Sequence, residues 1–361
     1  MTAQMTPPMT APAATGPGHG DAFTDHMVSL SWNAVDGWHD RRVGPLEMLP
    51  LHPATIGLHY AQVIFEGLKA HRGPDGSVSV FRPDRNALRF QSSARRLAMP
   101  ELPVEDFLSA LDDLVLLDGT GLPDDPSISL YLRPLMFATD PNLMLRPSDE
   151  YRFLLMAFVA GGFFGDKALE PVSVLVSREH SRAVQGGTGD VKCAANYGPS
   201  FVAQNLARQA GCQQVVWLDA AEHRWVEEMG GMNLFFVRRT ASGTEVVTPG
   251  LTGTLLPGVT RESLLVLADR LGHTVREERI SVDQWRAECE AGLITEVFAC
   301  GTAAVVTPVG TVRDRDGDWV IGDGTAGPVT RELRQALVDT QRGVLPDPGG
   351  WRRVIVPPSA L

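Results

Sequence analysis

Three observations on this 361-residue sequence predict an α+β fold of two domains with mixed β-sheets and flanking helices. Strands come as hairpins around Gly73–Gly76 and Gly230-Gly231, and helices stand apart from them instead of alternating strand by strand. The chain also exceeds the roughly 250–300 residues at which a single hydrophobic core stops growing.

The elements follow in order. Residues 1–25, rich in Ala, Pro, Thr, Met and Gly without periodicity, read as a disordered leader. A β-rich run from Val63 to Ala70 meets Gly73-Pro74-Asp75-Gly76 and returns through Ser77 to Phe81, a hairpin with a four-residue turn. Asp84 is placed to cap a helix whose apolar face is Ala87, Phe90, Ala94 and Leu97, spaced three and four apart. A helix is predicted over Val104 to Leu117, then strands over Ser129 to Phe137 and Tyr151 to Val159, ending at Gly161-Gly162. Beyond that break come a strand over Pro171 to Val176, a glycine-rich loop at Gly186 to Gly189, a helix over Ser200 to Gln209 and a strand over Gln214 to Asp219. After the second hairpin, helices are expected over Arg261 to Leu271, Val282 to Glu290 and Val329 to Gln341, with one strand over Glu296 to Val306. The implied division is a leader over 1–25, a small N-terminal α/β domain over 26–160, an interdomain loop over 161–170 and a large domain over 171–361.

Composition narrows the function. The balance of 43 acidic to 32 basic side chains, net −11, opposes attraction to nucleic acid or an anionic membrane, so the expected partners are small molecules. No apolar run approaches the ~20 residues of a membrane span. No charged segment introduces a signal peptide, since the first basic residue is Arg41, and the chain reads as cytoplasmic. Cys193, Cys212, Cys289 and Cys300 show no paired C-x-x-C spacing and read as reduced, mostly buried thiols. No metal is implied.

Lysine usage is informative. Only Lys69, Lys167 and Lys192 occur, and arginine supplies the other 29 basic residues. Arginine is permanently protonated and cannot act as an amine nucleophile, so each lysine becomes a candidate for amine chemistry. Lys192 lies in Gly186-Gly187-Thr188-Gly189-Asp190-Val191-Lys192-Cys193-Ala194-Ala195-Asn196-Tyr197-Gly198. A nucleotide P-loop is excluded, because Val191 and Cys193 stand where Gly and Ser or Thr are required. Two readings of the segment remain: an amine among small side chains, suited to imine formation with a planar aldehyde, or a glycine-rich surface loop with an incidental lysine. Pro257-Gly258 followed by Thr260 as N-cap has the form of an anion-binding helix start, and equally of an ordinary capped helix. Arg89 offers a guanidinium fork for phosphate or is simply solvated. Glu228, before the Gly230-Gly231 turn, suits a protonated ring nitrogen or a surface strand end.

These segments, in this order, resemble the branched-chain amino acid aminotransferases of pyridoxal 5′-phosphate (PLP) fold type IV. The likeness runs from about Ser29 to Trp351 through six collinear motifs: His59 to Ala70, Tyr131 to Pro134, Gly186 to Gly198, Glu227 to Asn233, Leu256 to Arg261 and Glu296 to Val306. The resemblance implies that Lys192 forms the Schiff base, that Tyr197 contacts the ring oxygen and that Glu228 pairs with the pyridine nitrogen. Arg89, Val259, Thr260 and Thr302 correspond to the phosphate cup, within a cofactor-binding large domain. Tyr131 and the amides of Thr302 and Ala303 would hold the substrate α-carboxylate. Arg133 and Tyr60 would receive the second carboxylate of glutamate, with Phe65, Tyr60 and Phe163 walling the apolar pocket. A homodimer in which the partner chain completes each site is also implied.

The departures from the family pattern leave the cofactor set untouched. A redox C-x-x-C found in some members would span Ala304 to Thr307 and is absent. Phe163 stands where many relatives have Tyr, His71 where they have an aromatic, and Val63 where a polar residue is common. The implied reaction is a double displacement: Lys192 moves the proton between substrate Cα and cofactor, a 2-oxo acid leaves, and a second 2-oxo acid is aminated. The rival readings are a PLP lyase on the same fold, a D-amino acid transaminase and a PLP-binding carrier. The strand Tyr131-Leu132-Arg133-Pro134 beside Phe65-Glu66-Gly67 weighs against the first, and an intact carboxylate site against the carrier.

Overall fold

The computed structural model describes residues 20–161, 169–241 and 243–358. The first sheet is built from β1 (His26–Asn33), β2 (Gly37–Pro45), β3 (Val63–Phe65), β4 (Leu68–Arg72), β5 (Val78–Phe81), β6 (Ser129–Ala138) and β7 (Glu150–Ala160). Its helices are α1 (Ile56–Tyr60), α2 (Pro83–Arg96) and α3 (Val104–Asp118). The second sheet holds β8 (Val172–Val176), β9 (Gln214–Leu218), β10 (Val226–Met229), β11 (Met232–Thr240), β12 (Gly243–Thr248), β13 (Thr274–Glu277), β14 (Ile294–Gly301), β15 (Val305–Arg313) and β16 (Trp319–Val320). With it go α4 (Phe201–Gln209), α5 (Val259–Arg270), α6 (Val282–Glu290) and α7 (Pro328–Arg342). The last strand, β17 (Arg352–Val356), pairs with β5 and so lies in the first sheet, although its residues fall in the stretch assigned to the second domain.

The first sheet is antiparallel throughout, in the order β17-β5-β4-β6-β7-β1-β2, with β3 on β6. The second is mixed, with parallel pairs at β8–β9, β8–β15 and β12–β13. Because β10 bonds to both β9 and β11, six of its strands close into a ring. Closure removes exposed edges around the part of the sheet that faces the site.

Amphipathic helices cover both sheets. α2 buries Ala87, Phe90 and Ala94 as the spacing predicts, and Phe90 meets Phe107 of α3 at 5.5 Å and Phe153 of β7 at 5.9 Å. Deleting a ring buried this completely costs about 3–5 kcal/mol. In the second sheet Trp285 of α6 stands edge-on between Phe236 and Trp319. A third cluster joins the two halves, since Phe81 of β5 packs with Phe235, Phe298, Leu333 and Leu337.

Three local expectations are corrected. Asp84 does not cap α2: the helix begins at Pro83, whose fixed φ suits a first turn, after Arg82 in the left-handed region. Thr260 lies inside α5, whose N-cap is Gly258. The single strand over Glu296 to Val306 is a hairpin, β14 and β15, turning through 302–304. Val305 closes that turn at φ 60°, a conformation β-branched residues rarely adopt, and no Gly or Pro stands within 302–304.

Candidate active site

Lys192 is fixed by its neighbours in the chain. Val191 and Cys193 are buried in the core of the first sheet, so the lysine between them turns the other way, into the cleft. Its backbone is held at both ends: the N–H donates to Ser93 Oγ on α2 (3.0 Å), and the carbonyl accepts from the Phe65 amide (3.1 Å). The following loop is closed by Asn196, whose Nδ2 donates to the carbonyls of Thr188 (2.7 Å) and Val191 (2.9 Å). That closure brings Tyr197 back over the amine. Lys192 Nζ donates to Tyr197 Oη at 2.8 Å and sits 4.7 Å from the centre of the Phe65 ring.

Around this pair lies a cavity of about 280 Å³ between the sheets. It brings together Phe65, Arg89, Tyr131, Arg133, Lys192, Tyr197, Val259, Thr260, Thr302 and Ala303 from widely separated stretches of chain. Glu228 borders a smaller adjoining space whose lining also includes Tyr197, Gly230 and Gly231. Tyr60 is not among these residues: it is exposed, and its hydroxyl donates to the Leu143 carbonyl (2.9 Å). Phe163 lies outside the described residues.

One end of the cavity suits a phosphate. α5 begins at Val259 with no side-chain cap, which leaves its first amides free, and the helix dipole favours an anion there. Gly258 is required by space, because a Cβ would stand 2.1 Å from Asn233 Oδ1. Arg89 reaches the same end but is already engaged. Its Nε and Nη2 fork onto the fully buried carboxylate of Glu66 (2.7 and 2.8 Å), and Nη1 donates to the Pro257 carbonyl (3.0 Å). Burial alone would raise the Glu66 carboxyl, but the Arg89 charge, with Lys192 and Asn86, holds it below the usual range.

The other end suits a carboxylic acid. Tyr131 stacks on Phe158 (4.8 Å) and receives a long bond from Arg133 Nη2 (3.4 Å). The Arg133 guanidinium lies 5.0 Å from the Phe65 ring, and among the described residues no carboxylate pairs with it. The 302–304 turn is tied from behind by Lys69, whose Nζ donates to the Ala303 carbonyl (3.1 Å). Under the floor, Glu228 accepts from the Leu256 amide (2.8 Å) and from Asn233 Nδ2 (3.3 Å). Burial pushes its carboxyl above the usual range, opposed by Arg182 and the Leu256 amide. Sequence reasoning missed Glu66, Arg182 and Asn233. Glu66 and Asn233 lie inside quoted motifs but declare a role only through partners far along the chain.

An amine under a phenol, an anion-binding helix start and a buried carboxylate are what an aldehyde-bearing pyridine phosphate requires. The class so defined is matched by a family model described as amino-transferase class IV, which covers residues 63–312. A probable branched-chain-amino-acid aminotransferase of Streptomyces coelicolor is 53% identical over 340 residues, 94% of this chain and 92% of that protein. The branched-chain-amino-acid aminotransferase of Mycolicibacterium smegmatis is 53% identical over 336 residues, 93% and 91% of the two chains. Among solved structures, the branched-chain amino acid aminotransferase from Escherichia coli superposes with a TM-score of 0.72 at 28% identity, covering 92% of this chain and 99% of that one. The T.th. branched-chain amino acid aminotransferase complexed with N-(5′-phosphopyridoxyl)-L-glutamate does so with a TM-score of 0.71 at 28% identity, covering 91% and 99%.

The chain therefore belongs to the branched-chain amino acid aminotransferases, on PLP fold type IV. It is a transferase whose family cofactor is pyridoxal 5′-phosphate. Among the described residues no helix is long and apolar enough to cross a membrane.

Proposed function

We propose that this enzyme transfers the amino group of L-leucine, L-isoleucine or L-valine to 2-oxoglutarate, giving the branched 2-oxo acid and L-glutamate. The observation that carries the reading is the placement of Lys192 Nζ, 2.8 Å from Tyr197 Oη, in a cavity that also holds the Arg133 guanidinium. When bound, PLP supplies an aldehyde that carries the amino group and a ring that takes up the electron pair left at Cα. Lys192 would hold the cofactor through Nζ, and as a free amine the same Nζ would take the substrate's Cα proton and give it back. Tyr197 orients that amine. Arg89, Val259, Thr260 and Thr302 would hold the phosphate, and Glu228 the ring nitrogen.

Tyr131 and the amides of Thr302 and Ala303 bind the α-carboxylate that every substrate carries. Phe65 packs against leucine-like chains, and Arg133 takes the distal carboxylate of glutamate, so one pocket serves both substrates. The outward-facing Tyr60 completes the pocket of a second copy in a homodimer. Support comes from the patch around it, where Leu58, Leu143, Met144 and Leu145 are also exposed. Two domains, 26–160 and 171–361, would meet at the site. Four free cysteines accord with a reducing, cytoplasmic setting. Incubation with L-leucine, 2-oxoglutarate and PLP should yield glutamate and the branched 2-oxo acid in equal amounts. Absence of glutamate under those conditions would overturn the reading.

A further inference from the structure

Buried charge continues beyond Glu228, away from the main cavity. Arg182 places Nε 3.1 Å from Glu228 Oε2, and both side chains are almost wholly buried. The guanidinium is fixed from its other edge, where Nη2 donates to the carbonyls of Gly189 (3.1 Å) and Thr254. Thr254 in turn directs its hydroxyl to a second buried carboxylate, Glu227 Oε1, at 2.5 Å. Glu227 and Glu228 are consecutive on β10, at an irregularity in its pairing with β9 between Val226 and Met229. Arg182 acts electrostatically on both, opposing the effect of burial on each. Glu227 Oε2 has no hydrogen-bond partner among the described residues and borders a separate cavity of about 310 Å³.

A carboxylate facing a pyridine nitrogen can leave the shared proton on nitrogen or take it. On nitrogen, the ring carries positive charge and accepts electrons from Cα; on the carboxyl, it does not. Burial favours the neutral carboxyl, and so works against the charged ring. A cation on the far side of the carboxylate opposes that preference, because it stabilises the anion more than it disturbs the more distant ring.

We infer that Arg182 is a positioning residue for the cofactor ring, holding Glu228 ionised so that the proton between them stays on the pyridine nitrogen. The inference rests on the proposed pairing of Glu228 with that nitrogen. Glu227, through Thr254, anchors the guanidinium from behind and does not face the ring itself. Arg182 thus touches neither substrate nor cofactor, and acts only through Glu228.

The test is nitrogen NMR of enzyme loaded with PLP labelled with ¹⁵N in the ring, with ³¹P recorded on the same sample. Wild type should show a protonated ring nitrogen. Glu228→Gln should move the ¹⁵N signal to the unprotonated position, which tests the pairing by itself. Arg182→Gln and Arg182→Met should each produce the same ¹⁵N shift with the ³¹P signal unchanged, and either soluble variant suffices. Arg182→Lys, which keeps the charge, should restore the protonated signal. A merely structural role for Arg182 would disturb ³¹P and ¹⁵N together, without rescue by lysine. If Glu228→Gln loses the proton while both neutral Arg182 variants keep it, the inference falls and the Glu228 pairing stands. If Glu228→Gln keeps the proton, both fall.

Discussion

Gly67 leaves the space that the Tyr131 hydroxyl occupies: a Cβ on residue 67 would lie 2.1 Å from that oxygen and 2.9 Å from Cζ. The backbone of Gly67 is not in the left-handed region, so the requirement is one of room, not of conformation. Tyr131 cannot retreat easily, because its ring is stacked at 4.8 Å on Phe158 across the β6–β7 pair. Gly67→Ala should therefore displace the hydroxyl proposed to hold the α-carboxylate. A charge-assisted hydrogen bond is worth about 1.5–3 kcal/mol, so kcat/KM for leucine and for glutamate should fall together by roughly 10- to 150-fold. Tyr131→Phe should reproduce the loss in steady-state assays. Wild-type constants in Gly67→Ala would show that the ring shifts at no cost.

Lys69 supplies a prediction on stability. It is buried beside the 302–304 turn with no carboxylate partner among the described residues, and burial, with the Arg334 charge, lowers its pKa from 10.5 to about 8. Below about pH 8 the amine is charged in both folded and unfolded chains, and the full burial penalty applies. Between there and 10.5 only the unfolded chain keeps the proton, so stability rises with pH across that window. The gap corresponds to about 3 kcal/mol, from which loss of the bond to Ala303 removes about 1. Lys69→Met should thus be more stable than wild type by about 2 kcal/mol near neutral pH, with the gain disappearing toward pH 10.5. Urea denaturation at both ends of the window reads this directly. A variant destabilised equally at both would rule out the burial account.

The same environment separates the lysines chemically. Lys69 Nζ is tied to a carbonyl, whereas Lys192 Nζ opens onto the cavity. Borohydride reduction of the PLP-loaded enzyme should fix a pyridoxyl group on Lys192 alone, as peptide mass mapping would show. Lys192→Ala should lose turnover altogether. A label on Lys69 or Lys167 would remove the basis of the site assignment.

What could be read from the sequence depended on how far apart the cooperating residues lie. Lys192 and Tyr197 are five apart in one loop, and their bond closes within the motif that announced them. Glu66 and Arg89 are 23 apart; Arg89 stood out as a phosphate ligand, but its partner Glu66 showed no role until the end of β3 and α2 came together at 2.7 Å. Arg182 sits in an unremarkable run and acquires its role only when the ring of strands closes over Glu228. The β14–β15 hairpin was hidden for a different reason. Its turn uses Val305 in a conformation normally signalled by Gly or Asn, and nothing within 302–304 is a turn residue, so the break did not show. β17 was missed because an isolated edge strand has meaning only against its partner, β5.

Arg133 carries the last prediction, on how two unlike substrates share one site. Its guanidinium rests against the Phe65 and Tyr131 rings at 5.0 and 5.5 Å, and no carboxylate among the described residues pairs with it. A half-buried cation so placed awaits an anion from the substrate, and among the proposed substrates only glutamate and 2-oxoglutarate bring a second carboxylate. Arg133→Met keeps an unbranched side chain able to lie on the same rings, so the apolar wall should survive while the charge is lost. The glutamate half-reaction should lose roughly 10- to 150-fold in kcat/KM, from the same 1.5–3 kcal/mol. The leucine half-reaction makes no distal ion pair and should change little. Single-turnover conversion of the PLP form to pyridoxamine phosphate, followed by absorbance, measures each half-reaction separately. Equal losses with both substrates would instead make Arg133 a support for Tyr131, whose hydroxyl it approaches at 3.4 Å, and would end its assignment to the distal carboxylate.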